Sequence, residues 1–424
     1  MAHKQSDVLS RSEQGNTMQG KLQGKKFSYI PDLDASFSLI VHSHLRWDFV
    51  WQRPQQILSR LAEKYPVLFV EEPIFDTGSD NNHLETVQAS RNVTRVIPRL
   101  SRSLAEQGDL AHEVVRDLLL FLIQSDDALA ERFNRPIQWF YNPMPTTAML
   151  GHFNEAGVVY DCMDELSKFR FAPSNIVRRE EILLDAADIV FTGGYKLYES
   201  KSRHHDNVHF FGCGVDVEHF AKARAAETEI PADLSGIQGP VLGFYGVIDE
   251  RLDYELLDKL AAARPDWTIA MAGPVVKVDP AELPKADNIH WLGQKDFESL
   301  PAYAKGFDIC LMPFALNEAT EYINPTKALE YMAAGKPILS TAVADVVRNF
   351  TPVVQVAYSH EEFIRMAQEM LDHPAPDLIS QGLARAQGST WTAIVNEMDA
   401  LMCQAVIPEM AATARDGKAE AASV

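Results

Sequence analysis

The sequence predicts an α/β protein made of two doubly wound, Rossmann-like domains that face each other across a cleft. Three observations predict it. The chain has 424 residues, more than one ordinary core holds, so two domains of about 150 to 200 residues are expected. Short apolar runs alternate with stretches of helical period through both halves, the pattern of a parallel sheet with helices on its faces. The alternation stops at a polar stretch, AKARAAETEIPADLSGIQG (221–239), and then restarts.

FSLIVHS (37–43) reads as a buried strand. The next segment places Ile57, Leu58, Leu61 and Ala62 on one helical face, and PVLFVEEP (66–73) is a second strand. A long helix is expected over 109–133. Strands follow at IQWFYN (137–142), GVVYDCMDE (157–165), DIVFTGG (188–194) and NVHFFGCGVD (207–216), with helices between the last three. In the second half, strands are expected at PVLGFYGV (240–247), WTIAMAGP (267–274), NIHWLG (288–293), FDICLMPF (307–314), PILST (337–341) and PVVQVA (352–357). STWTAIVNEMDALM (389–402) reads as a helix that returns to the first domain. The expected organisation is a leader over 1–30, a first domain over 31–215, a second over 216–384, a crossover helix over 385–405 and a tail over 406–424.

Bulk chemistry excludes several classes. The formal net charge is −20, which repels nucleic acid. Cys162, Cys213, Cys310 and Cys403 form no CxxC pair and no zinc spacing. They read as reduced thiols of a cytoplasmic protein. The longest strongly apolar stretch, LLLFLI (118–123), is far short of the roughly 20 residues of a membrane span. No signal peptide is read at the N-terminus. Neither GxGxxG nor GxxxxGK[ST] occurs, which disfavours a nicotinamide or flavin dehydrogenase and the common NTPases.

Ligands of open parallel sheets bind beyond the carboxyl ends of the strands. There, NPTKALEYMAAGKPILST (324–341) gives start, body and stop of one helix followed by a buried strand. Asn324 is the expected N-cap, Pro325 suits the first turn, and Gly335 with Pro337 ends the helix. Free amides at Thr326 and Lys327, the helix dipole and the Lys327 ammonium form an anion site. Glu330 lies one turn on, where a carboxylate can accept from the hydroxyls of a ribose attached to that anion.

This block, GVD at 214–216 and WQRPQQIL at 51–58 resemble GT-B glycosyltransferases, in particular bacterial family-1 and family-4 enzymes of exopolysaccharide and cell-wall polymer assembly. The likeness spans roughly residues 37–400. It implies a nucleotide-sugar donor, a UDP-sugar, with no cofactor and no metal, and a saccharide, lipid-linked or small-molecule acceptor. A lipid-linked acceptor would bring the protein to the inner face of the membrane. One feature departs. Family-4 enzymes often carry two glutamates eight positions apart; Glu330 matches the second, but Tyr322 stands at the first, with Glu318 and Glu321 out of register. The stereochemical outcome therefore does not carry over. The gap also keeps two other readings open: a GT-B epimerase or hydrolase, and a non-catalytic binding subunit.

Under this resemblance Gly246 lets the backbone approach the diphosphate and Arg251 neutralises it. Gly273 turns into the base pocket, and HWLG, with Leu292, borders the base. Asp161, at a strand end, is the first candidate base, with His44 and His42 competing. Trp47, Trp51, Arg53, Gln55, Asp164 and Glu165 are candidates for acceptor recognition. The crossover helix implies a hinge and closure of the cleft on donor binding.

Overall fold

The computed structural model describes residues 37–78, 81–318 and 320–407. The leader read at 1–30 and the tail from 408 onward lie outside them. Among the described residues the first sheet has nine strands: β1 (Leu39–His42), β2 (Val67–Val70), β3 (Ile74–Thr77), β4 (His83–Ser90), β5 (Val93–Ser101), β6 (Ile137–Phe140), β7 (Gly157–Cys162), β8 (Ile189–Thr192) and β9 (Val208–Phe210). Their order is β3-β5-β2-β1-β6-β7-β8-β9, all parallel, with β4 antiparallel to β5. The second sheet has six parallel strands: β10 (Val241–Tyr245), β11 (Thr268–Ala272), β12 (Ile289–Gly293), β13 (Ile309–Met312), β14 (Ile338–Thr341) and β15 (Val354–Ala357), in the order β12-β11-β10-β13-β14-β15.

The topology marks where a ligand belongs. Chain order reverses at β1, between β2 and β6, and again at β10, between β11 and β13. At such a switch point the flanking connections leave in opposite directions, and a crevice opens at the strands' carboxyl ends. The central strands are buried on both faces: every residue of β1, β2, β6, β7, β8, β10, β11, β13 and β14 is buried. This is why they read as continuous apolar runs rather than alternating ones.

Two local readings are corrected. The ribbon β3–β5 was not expected; β4 lies on an edge, buries only Leu84 and carries Glu85 and Gln88, so its apolar signal is diluted. The helix over 109–133 is two helices, Gly108–Gln124 and Asp127–Arg132. Asp126 starts the second by accepting from the amides of Ala128 and Leu129 at 2.9 and 3.1 Å, a local capping bond that outcompetes continuation of the first.

Two crossings join the domains, side by side. Val215 pairs with Thr390, and the Val215 amide donates to Ser389 O at 2.9 Å. A Cβ on Gly214 would stand 2.8 Å from the Trp391 backbone and ring, so only glycine permits the approach. The helix Trp391–Val406 then packs its buried Trp391, Val395, Met398 and Met402 into one face of the first domain's core. Asp399 on this helix accepts from Tyr65 Oη at 2.7 Å and Lys64 Nζ at 2.6 Å.

Candidate active site

The carboxyl ends of the two sheets meet around an open cavity that admits about 170 Å³ of water-sized space. From the first domain it is lined by Trp51, Gln52, Arg53, Met163, Asp164, Gly193 and Cys213. From the second come Phe244, Tyr245, Gly246, Arg251, Gly273, Gln294, Lys295, Phe297 and the segment Ile323–Lys327 with Glu330. The domains touch around it. Gln294 Nε2 donates to Phe49 O at 2.7 Å, and Asn324 Nδ2 donates to Gly193 O at 3.1 Å. The Tyr195 amide donates to Asp345 Oδ2 at 2.7 Å, and the Trp51 and Phe297 rings lie 6.1 Å apart.

The helix Lys327–Ala334 starts at the cavity wall and ends on Gly335, whose φ of 72° is the left-handed C-cap expected of glycine. It begins later than the sequence indicates. Thr326, not Asn324, is the N-cap, and Asn324 instead ties the entering loop to the first domain. The amides of Thr326 and Lys327 make no hydrogen bond among the described residues. Beside them the Lys327 side chain makes no ion pair or hydrogen bond among the described residues, and its ammonium lies 5.6 Å from the Phe244 ring centroid. Burial lowers its pKa, with Glu330 opposing. An ammonium held without a counter-ion at a helix N-terminus is a site for an anion.

Gly246 makes that geometry possible. Its φ is 142°, and a Cβ there would stand 2.2 Å from Lys327 Cε and 2.6 Å from Nζ. Gly273 lines the cavity beside it. At φ 157° its α-carbon packs on the Gly246 peptide, where a Cβ would stand 1.7 Å from Gly246 O. Arg251 lines the cavity, held by Asp249 through Nε at 3.0 Å and Nη2 at 2.8 Å. Leu292 does not line it. It packs against the second domain's core, and the wall is formed by Gln294, Lys295 and Phe297 just beyond it.

On the first domain's side several expectations are corrected. Asp161 is fully buried and bonded by Arg53 Nε and Nη2 at 3.0 and 2.9 Å. Arg53 Nη1 donates to Phe211 O at 2.8 Å. The pair is a buried strut between the helix Arg53–Leu61, β7 and the segment after β9, so Asp161 is not available as a base, while Arg53 borders the cavity with its nitrogens engaged in these bonds. Gln55 is buried in a capping box, accepting from the Gln52 amide at 3.0 Å and donating to Trp47 O at 2.9 Å. Trp47 is 6% exposed and packs on Phe69. His42 is buried, stacks on Phe140 and donates to Gln138 Oε1 at 2.7 Å. His44 does not line the cavity, and burial beside Lys277 lowers its pKa to about 4. Glu165 is buried, accepting from Lys201 Nζ at 2.8 Å.

Trp51 and Asp164 remain. Asp164 follows β7 by two residues and makes no side-chain hydrogen bond or ion pair among the described residues. Its carboxyl is pushed up to about 6 by burial, opposed by Arg251 and raised further by Asp249. Cys213, Gln294 and Phe297 were missed. Single residues on loops or, as Phe297, on a short 3-10 turn carry no periodic or spacing signal, and no motif marked these. No group of three or more His, Cys, Asp or Glu able to hold a metal occurs among the described residues.

Comparison with known proteins bears on the fold. In solved structures, the sucrose-phosphate synthase of Thermosynechococcus elongatus matches with a TM-score of 0.66 at 18% identity, over 87% of this chain and 98% of that one. Anabaena HepE, solved in complex with UDP and glucose, matches with a TM-score of 0.62 at 13% identity, over 87% and 99%. The fold is GT-B. Residues 239–373 match the family described as "Glycosyl transferases group 1", and this stretch carries Gly246, Arg251, Lys327 and Glu330. A curated relative, a putative teichuronic acid biosynthesis glycosyltransferase of Bacillus subtilis, is 30% identical over 217 residues, 46% of this chain. The chain spans about half the length of that relative, 53%.

Proposed function

We propose that this chain is a glycosyltransferase that moves a sugar from a nucleotide-diphosphate sugar, a UDP-sugar, to a hydroxyl of a saccharide, lipid-linked or small-molecule acceptor. One observation carries the reading. Two charges face one cavity from opposite domains with no hydrogen-bonded or ion-paired partner among the described residues: the Lys327 ammonium and the Asp164 carboxylate. Inverting glycosyl transfer uses one of each. The cation receives the departing diphosphate, and the carboxylate engages the attacking hydroxyl.

In this reading the diphosphate lies on the amides of Thr326 and Lys327, with Gly246 leaving room for it beside the ammonium. Glu330 receives the ribose hydroxyls. The acceptor hydroxyl enters from the Asp164 side and gives its proton to that carboxylate as its oxygen bonds the sugar's anomeric carbon. The bond from that carbon to the diphosphate breaks, and the electron pair leaves on UDP. Lys327, the helix terminus and Arg251 provide the charge that a divalent ion provides elsewhere, so turnover is expected to persist in excess chelator. No helix among the described residues is long and apolar enough to cross a membrane. Four free cysteines and a nucleotide-sugar donor fit a cytoplasmic site of action.

The test is a panel of nucleotide sugars assayed for release of the nucleoside diphosphate with and without saccharide acceptors. Acceptor-dependent release from a UDP-sugar is expected. Release of free sugar without any acceptor would instead point to a hydrolase, and no turnover with any donor to a binding subunit.

A further inference from the structure

Asp249 lies on the turn after β10 and is 2% exposed. Its carboxylate is bound entirely by one neighbour. Oδ1 accepts from the Arg251 amide at 3.0 Å and from Nε at 3.0 Å, while Oδ2 accepts from Nη2 at 2.8 Å. Its carbonyl is fixed as well, accepting from Tyr254 Oη at 2.9 Å and from the Leu252 amide at 3.1 Å. One edge of the guanidinium is thus clamped, and Nη1 keeps no partner among the described residues.

The second contact comes from the other domain. The Phe169 ring, on the loop after β7, lies 5.8 Å from the Arg251 guanidinium and 4.8 Å from Lys277 Nζ. The same loop is seated on this turn by its Arg170 amide, which donates to Glu250 Oε1 at 3.2 Å. The arginine is therefore held by a carboxylate of its own domain and by an aromatic ring of the facing one.

We propose that Asp249 and Phe169 are positioning residues that fix the Arg251 guanidinium with its Nη1 edge free for the donor's diphosphate. The inference rests on the nucleotide-sugar reading above. A planar guanidinium bound along one edge loses rotational freedom before the ligand arrives, and the remaining donors are preorganised for phosphate oxygens. The alternative is purely electrostatic. Asp249 would then only cancel the arginine's charge, and removing it would strengthen anion binding.

These two accounts predict opposite signs. UDP and uridine are titrated calorimetrically into the wild type, Asp249→Asn, Phe169→Leu and Arg251→Ala. If wild type binds no UDP, the functional reading itself fails. If it binds, positioning predicts that Asp249→Asn and Arg251→Ala each weaken UDP about tenfold or more while uridine affinity stays unchanged. The double variant should be no weaker than Arg251→Ala alone, as expected for groups acting through one contact. Phe169→Leu should weaken UDP less, and Phe169→Tyr should restore it. Unchanged or tighter UDP binding by Asp249→Asn overturns the proposal, as does an equal loss for uridine. Should Asp249→Asn fail to fold, Arg251→Lys gives the same reading: it keeps the charge and loses the fork, so wild-type UDP affinity there overturns the proposal.

Discussion

The Lys327 side chain occupies the space in which a Cβ on Gly246 would stand, with Cε at 2.2 Å and Nζ at 2.6 Å from that position. Two segments more than 80 residues apart therefore form one surface: a glycine at the end of the central strand and a lysine at the start of a helix. The left-handed φ of 142° at Gly246 adds to the requirement. Gly246→Ala is expected to displace the ammonium and to strain the backbone by about 1–3 kcal/mol. Chemical denaturation would register the strain. UDP titration would register a loss of affinity larger than that of a surface alanine substitution.

Asp164 gives a pH dependence. A base acts only when deprotonated, and burial holds this carboxyl at about 6. Turnover should therefore rise with pH through about 6 and level above it, measured as kcat/KM for the acceptor. The stability sign is opposite. An acid whose folded pKa lies above its unfolded value favours the protonated native state, so its contribution is lost as pH rises from about 4 through 6. Asp164→Asn should abolish the pH limb, cut turnover about a hundredfold or more, and raise the melting temperature at pH 7. An activity profile that keeps its acid limb in this variant would exclude Asp164 as the base.

Asp161 and Arg53 should behave as structure. Breaking one partner of a buried pair leaves an uncompensated charge and costs about 3–5 kcal/mol. Asp161→Asn is expected to lower the unfolding free energy by that amount, read from the shift of the denaturation midpoint. Where the variant still folds, its acid limb should be unmoved. A fully stable Asp161→Asn that has lost turnover would return the base role to Asp161.

The sequence made legible what local chemistry determines. Continuous apolar runs marked the buried strands. Gly335 and Pro337 marked the end of the helix Lys327–Ala334, and Lys327 stood out as a cation at its start. What it hid depends on partners far along the chain. Asp161 at a strand end looks like a cleft carboxylate until Arg53, 108 positions earlier, is folded onto it. Asn324 has the chemistry of an N-cap, but a tertiary bond to Gly193 O takes its amide. Gln55 reads as a free polar group, yet its capping-box bonds close locally. The histidines at the end of β1 were read as cleft groups because strand ends bind ligands; sheet packing on Phe140 buries His42 instead.

The interdomain contacts predict coupling between nucleotide binding and closure. Trp51 of the first domain lies 6.1 Å from Phe297 of the second, both on the cavity wall. A ligand that alters the separation of the domains changes the environment of this indole. UDP should shift the fluorescence that is lost in Trp51→Phe, and the shift should titrate with the calorimetric affinity. A shift unchanged by Trp51→Phe would place the reporter elsewhere.

Calorimetric titration of UDP into the wild type and Lys327→Ala tests the central claim most directly. One UDP per chain is expected in the wild type, with affinity at least tenfold weaker in Lys327→Ala and uridine binding alike in both. Equal UDP affinity in the two proteins, or none in the wild type, would contradict the assignment of this helix start to a diphosphate.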